Sequence, residues 1–169
     1  MNFEGATLQL RPYTQSSSII HFGLGMAQIV DEVLVTWPSG VSQTFFNVSA
    51  NQTLVLQEPE VLVTHKLLTT QVLPGETLKF EVTLKNLTNH SLTVDYWGHY
   101  IRPDGTKYPK DGEAKGPVSI GLQPFETGKR TIWDDIPQKT SPGIYTYKGF
   151  VGYYPSVSDQ SGFDFQVLP

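Results

Sequence analysis

Leu78, Phe80, Val82 and Leu84 place an apolar side chain at every second position, with Lys79, Glu81, Thr83 and Lys85 between them. That is the period of a half-buried strand, because successive side chains on an extended backbone point to opposite faces. The same period returns in Val118, Ile120 and Leu122, and in Phe163, Phe165 and Val167. No capped 3.6-residue pattern runs for three turns. The best helical candidate is 26–34, but Val33, Val35 and Trp37 alternate and Pro38 closes the segment, so at most a short turn of helix precedes a strand. The pattern predicts an all-β chain.

Pro59 interrupts the apolar run that ends at Leu56, and a new run begins at Val61, which places a joint at 57–60. The expected organisation is a small β-module over 1–58 and a second β-domain over 59–169. In the second, strand-like runs fall at 61–68, 77–85, 91–101, 118–123, 125–133, 143–153 and 162–168. Roughly seven strands at this spacing is the count of an immunoglobulin-like β-sandwich. Trp97 lies on the third strand, where such sandwiches bury a tryptophan, and Pro142, Gly143, Ile144 and Tyr145 open the sixth where a tyrosine corner sits. Val82 and Tyr147 stand at the positions a disulfide would link.

Composition narrows the function. Of 169 residues, 38% are hydrophobic and 17% charged, too apolar for a disordered tail. A net charge of −4 supplies no basic stripe to compensate phosphates, which argues against nucleic acid as partner. There is no cysteine, hence no thiolate nucleophile or zinc-thiolate site. No apolar run approaches the roughly 20 residues of a membrane span, and no secretory n- and h-region opens the chain, so any export signal would lie upstream of Met1.

Candidate chemistry is sparse. Gly23-Leu24-Gly25 has Gln28 where a dinucleotide fingerprint needs its third glycine, so a tight turn is the expected role. His21, His65, His90 and His99 form no i, i+4 pair and no HExxH, and no Gly-x-Ser-x-Gly elbow occurs. Carboxylates recur at Asp31 and Glu32, at Asp134 and Asp135, and in a loop with Asp104, Asp111 and Glu113. The last three are the calcium candidates, though they lack the alternate spacing of an EF-hand. No other cofactor is implied, and no catalytic set: the chain reads as a non-enzyme.

Aromatics crowd two strands, Tyr96, Trp97, His99 and Tyr100 on one, Tyr145, Tyr147, Phe150, Tyr153 and Tyr154 on the other. Where both parities are aromatic one set faces outward, free to stack on sugar rings or anchor a protein. Tyr96, Trp97, Tyr100 and Tyr154 are the ligand-binding candidates. Asn47, Asn51, Asn86 and Asn89 head sequons that carry glycans only in a eukaryotic secretory host.

One segment has a recognisable signature: Ser16 and Ser17, His21-Phe22-Gly23-Leu24-Gly25, Val30-Asp31, Val33-Leu34-Val35, Trp37-Pro38-Ser39-Gly40, Asn47, Asn51-Gln52 and Glu58. It resembles the ASPIC/UnbV module, which ends proteins with FG-GAP or VCBS-type propeller repeats, including those of the cartilage acidic protein type. The part before Ser16 is short for that module, and no propeller precedes it. From 59 onward, Leu73-Pro74-Gly75-Glu76, Lys85-Asn86 and Pro142 to Tyr145 are similar to bacterial immunoglobulin-like or fibronectin type III-like domains. The resemblance implies the C-terminal part of a larger surface protein, or a small free-standing relative. The implied function is a non-catalytic extracellular or cell-surface interaction and adhesion module with a protein or glycan partner. The alternative is a carbohydrate-binding accessory domain of a secreted enzyme. Oligomeric state stays open.

Overall fold

The computed structural model describes residues 6–9, 21–37 and 39–169, and among them there is no helix. Ser16, Ser17 and Pro38 of the signature lie outside the described residues. The chain divides into two compact units, Met1–Glu58 and Pro59–Pro169.

In the first unit, β1 (Ala6–Gln9), β2 (Ile29–Thr36) and β3 (Ser42–Ser49) form one sheet in that order. β1 runs parallel to β2, and β2 pairs antiparallel with β3. The segment expected to hold at most one helical turn holds a single turn, with Ala27 N–H donating to Leu24 O at 3.1 Å and Gly25 at φ 59°. β2 then begins at Ile29. The hairpin to β3 closes where Gly40 N–H donates to Trp37 O at 2.9 Å, with Gly40 at φ 86°, a conformation that favours glycine. Asn47 and Asn51 of the signature sit at φ 54° and 58°. Asparagine tolerates that region because its short amide bonds locally to the backbone.

The second unit is an immunoglobulin-like β-sandwich. One sheet has the order β10 (Thr127–Asp135), β6 (Thr77–Asn86), β4 (Val61–Leu67). The other has the order β5 (Gln71–Val72), β12 (Ser156–Val167), β11 (Gly143–Tyr153), β7 (Leu92–Ile101), β8 (Lys107–Tyr108), and β9 (Lys115–Leu122) also pairs with β7. Seven long strands are present, with β5 and β8 as two-residue additions. The inward parity of β6 delivers Leu78, Phe80, Val82 and Leu84 to a core shared with Val61, Val63, Val94, Tyr147, Val151 and Phe165, all buried. β12 starts six residues before the strand-like run at 162–168, because it is zipped to β11 from Tyr153 and Ser156 onward across a bulge at Val151 and Gly152.

Loop ends are closed by side chains. Asn86, fully buried, donates its amide to His90 O at 2.8 Å and Gln123 O at 2.9 Å and accepts from Thr88 N–H at 2.8 Å. Val63 N–H donates to Asp159 Oδ2 at 2.8 Å, so a β12 carboxylate caps a backbone donor of β4. Burial raises the Asp159 pKa, and the Val63 bond opposes that shift.

Candidate functional site

At one end of the sandwich, the loops after β7 and β10 flank a hollow of about 790 Å³, within the roughly 300–1,000 Å³ of small-ligand sites. Its floor is the end of the core: Tyr100, Tyr145, Phe165 and Val167 are buried there. Tyr145 and Phe165 stack with ring centroids 5.7 Å apart, and Tyr100 meets Phe165 edge-on at 5.8 Å. The Tyr145 hydroxyl donates to Ser141 O at 3.0 Å, which ties the start of β11 to the loop before it in the manner of a tyrosine corner. Burial raises the Tyr145 pKa; Arg102 opposes and Asp104 adds to that shift.

One wall is a tight turn, 102–106. Gly105 N–H donates to Arg102 O at 2.9 Å and Arg102 N–H to Thr106 O at 2.9 Å. Asp104 Oδ1 accepts from Thr106 N–H at 2.9 Å and from the Thr106 hydroxyl at 2.6 Å, and these bonds, the hydroxyl first, hold the Asp104 pKa down. The Arg102 guanidinium lies over the Tyr108 ring, Cζ 4.7 Å from the centroid. The opposite wall is the 136–142 loop with Pro137, Lys139 and Pro142.

The deeper carboxylates are engaged from two sides each. Asp134 accepts from the Tyr100 hydroxyl and, at 2.8 Å, from Lys115 Nζ. Desolvation, then the Asp134 charge, pushes the Tyr100 pKa far up, so the phenol stays a proton donor. Glu113 accepts from Lys107 Nζ at 3.0 Å and pairs with His99 Nδ1 at 2.8 Å. Asp135 accepts from the Thr77 hydroxyl at 2.7 Å.

The candidates read from sequence are distributed as follows. Tyr100, Asp104 and Glu113 line the hollow, whereas Asp111 does not. Among the described residues no three His, Asp or Glu side chains converge as a metal-ligand group. Tyr96 points into the core, its hydroxyl 2.9 Å from both His65 Nε2 and the Tyr147 hydroxyl. Trp97 is only 3% exposed, but it packs on the face of β7 away from the core, stacked on Phe150 at 5.8 Å and met edge-on by Tyr154 at 5.2 Å. That differs from the core position expected for it. The register explains why: Trp97 pairs with Phe150 and Tyr96 with Val151, so adjacent residues of β7 serve opposite faces. Tyr154 is 43% exposed. The pattern of the sequence did not single out Arg102, Tyr108 or Lys139. The only local signal was the turn-forming Pro103-Asp104-Gly105 beside Arg102.

Residues 12–63 match the family described as ASPIC and UnbV. No curated protein matches the chain. Among solved structures, the chain is similar to the CARDB domain of the PF1109 protein from Pyrococcus furiosus, a complex with di-metal ions, at 21% identity and TM-score 0.49, covering 68% of this chain and 97% of that one. It is similar to the alkylpurine DNA glycosylase AlkC of Pseudomonas fluorescens, bound to DNA containing an abasic site analog, at 11% identity and TM-score 0.50, covering 67% of this chain and 32% of that one. A Bacteroides uniformis beta-glucuronidase matches at 15% identity and TM-score 0.47, with 64% of this chain and 14% of the enzyme covered. At such identities the likeness concerns fold alone. Residues 12–63 are thus similar to the ASPIC and UnbV family, and Pro59–Pro169 folds as an immunoglobulin-like β-sandwich.

Proposed function

We propose that this chain is a non-catalytic interaction module working outside the cell or at its surface, within a larger surface protein, and that the hollow at the end of its sandwich engages a protein or glycan partner. The observation that carries this reading is the state of the hollow's deeper carboxylates. Asp134 is held by Lys115 and Tyr100, and Glu113 by Lys107 and His99. A general base needs a free lone pair aimed at a substrate proton, and a nucleophile needs such a base beside it. Carboxylates locked by cations and a phenol instead fix the wall's shape. The ASPIC/UnbV match supports the extracellular setting, since that family is associated with extracellular proteins.

A second reading, a carbohydrate-binding accessory domain of a secreted enzyme, is favoured by the half-open Tyr108 ring and the hydroxyls of Thr140 and Ser141 lining the same hollow. Biolayer interferometry of the full chain over immobilised extracellular proteins and cell-surface polysaccharides tests the first reading. Saturable binding, weakened in the Tyr108→Ala, Lys139→Glu double variant at unchanged Tm, is expected. Binding indifferent to that variant, or turnover of a chromogenic glycoside or ester by the chain, would overturn it.

A further inference from the structure

Resting on the reading of the hollow as a binding site, we propose that it takes a pyranose ring bearing a carboxylate, a sugar of the uronic-acid class, with Arg102 as the fork that receives the carboxylate. The lining sorts into committed and uncommitted groups. Asp134 and Glu113 are neutralised in place, as described. Arg102 and Lys139, one on each wall, have no carboxylate within ion-pairing distance among the described residues. The Arg102 guanidinium lies over the Tyr108 ring, Cζ 4.7 Å from the centroid, and a guanidinium fork without a carboxylate of its own matches an incoming one bidentately.

The remaining acceptors define the rest of the ligand. Asp104 and Asp135 each have one oxygen engaged by a threonine hydroxyl, which leaves Oδ2 of each without a side-chain donor among the described residues. Free carboxylate oxygens beside two cations disfavour a dense polyanion. They suit a ligand that brings hydroxyl donors together with a single negative group per unit. Pro103, Pro109, Pro137 and Pro142 and the Tyr108 ring give flat apolar surfaces for the C–H face of a sugar. Prolines and the 102–106 turn also hold the walls in place before binding, which lowers the ordering cost. An acidic peptide would satisfy Arg102 but brings no ring hydroxyls to Asp104 or Asp135.

Calorimetry and NMR of the full chain with trigalacturonate, maltotriose and triglutamate test the proposal. Trigalacturonate is expected to bind with an affinity that falls as salt rises, and to shift the Arg102 Nε–H resonance. Arg102→Ala is expected to weaken it roughly tenfold and Lys139→Ala roughly threefold, with Lys148→Ala, on β11 outside the hollow, unchanged. Maltotriose binding as tightly as the uronide would overturn the acid-sugar assignment while leaving the hollow a binding site. Triglutamate binding as tightly would overturn the saccharide assignment. An unmoved Arg102 resonance with all three overturns the proposal outright, and the broader reading then stands or falls on the surface panel alone. Unchanged Tm of Arg102→Ala and Lys139→Ala separates lost contacts from lost fold.

Discussion

His65 reaches from β4 across the sandwich into a ring of aromatics: Phe80 at 6.1 Å, Tyr96 at 5.9 Å, Tyr147 at 5.4 Å and Phe163 at 6.2 Å between centroids. Its Nε2 bonds the Tyr96 hydroxyl, while Nδ1 is sealed from solvent without a partner. Burial lowers its pKa from 6.5 to about 4. A base whose folded pKa is depressed contributes no penalty while neutral; below pH 6.5 the unfolded chain gains a proton that the folded chain takes up only near pH 4. Stability is therefore expected to fall between pH 6.5 and 4 by on the order of 2 kcal/mol, discounted for the ring's partial exposure. Urea titrations of the wild type and His65→Phe check this, the variant losing that part of the slope. Room for the cluster comes from Gly98 and Gly149, paired across β7 and β11: a Cβ on Gly149 would collide with the His65 ring and one on Gly98 with the Tyr147 hydroxyl. Either glycine to alanine is expected to cost about 2–3 kcal/mol by the same titration. Alternation in Val61, Val63, His65 and Leu67 puts His65 on the inward face, but its partner Tyr96 lies 31 residues on, a contact that only the packed sheets create.

At the scale of elements, period-two alternation made the long strands legible, since each has one face on the core. It failed for the first half of β12, Ser156 to Ser161, whose polar residues carry no alternation and are held by backbone pairing to β11. It also could not assign Trp97 to a face, because β7 is aromatic in both parities and pairing with β11 decides. The corner tyrosine was legible because its chemistry is local: Tyr145 bonds a carbonyl four residues upstream. Tyr145→Phe is expected to cost about 1 kcal/mol, measured by chemical denaturation. Asn86→Ala strips donors from His90 O and Gln123 O as well as an acceptor from Thr88, and is expected to cost about 3 kcal/mol by the same measurement. The hollow was only partly legible. Tyr100, Asp104 and Glu113 stood out as residue types, while Arg102 and Lys139 acquire meaning from two loops 30-odd residues apart meeting at one end of the sandwich.

For the molecule as a whole, the principal apolar core lies within Pro59–Pro169. A fragment of those residues is expected to unfold cooperatively at the main transition of the full chain and to keep the ligand binding of the hollow; scanning calorimetry of both checks the first point. On the function proposed above, the hollow is the surface through which this chain meets its partner, with Asp134 and Glu113 fixed for shape and Arg102 and Lys139 outside any ion pair among the described residues. Hydrogen exchange of the full chain, with and without the surface polymer or protein it binds, tests this most directly. Protection concentrated at 102–109 and 136–142 is the result expected. Protection confined to the outer faces of the sheets, with those two loops exchanging as in the free chain, would contradict it.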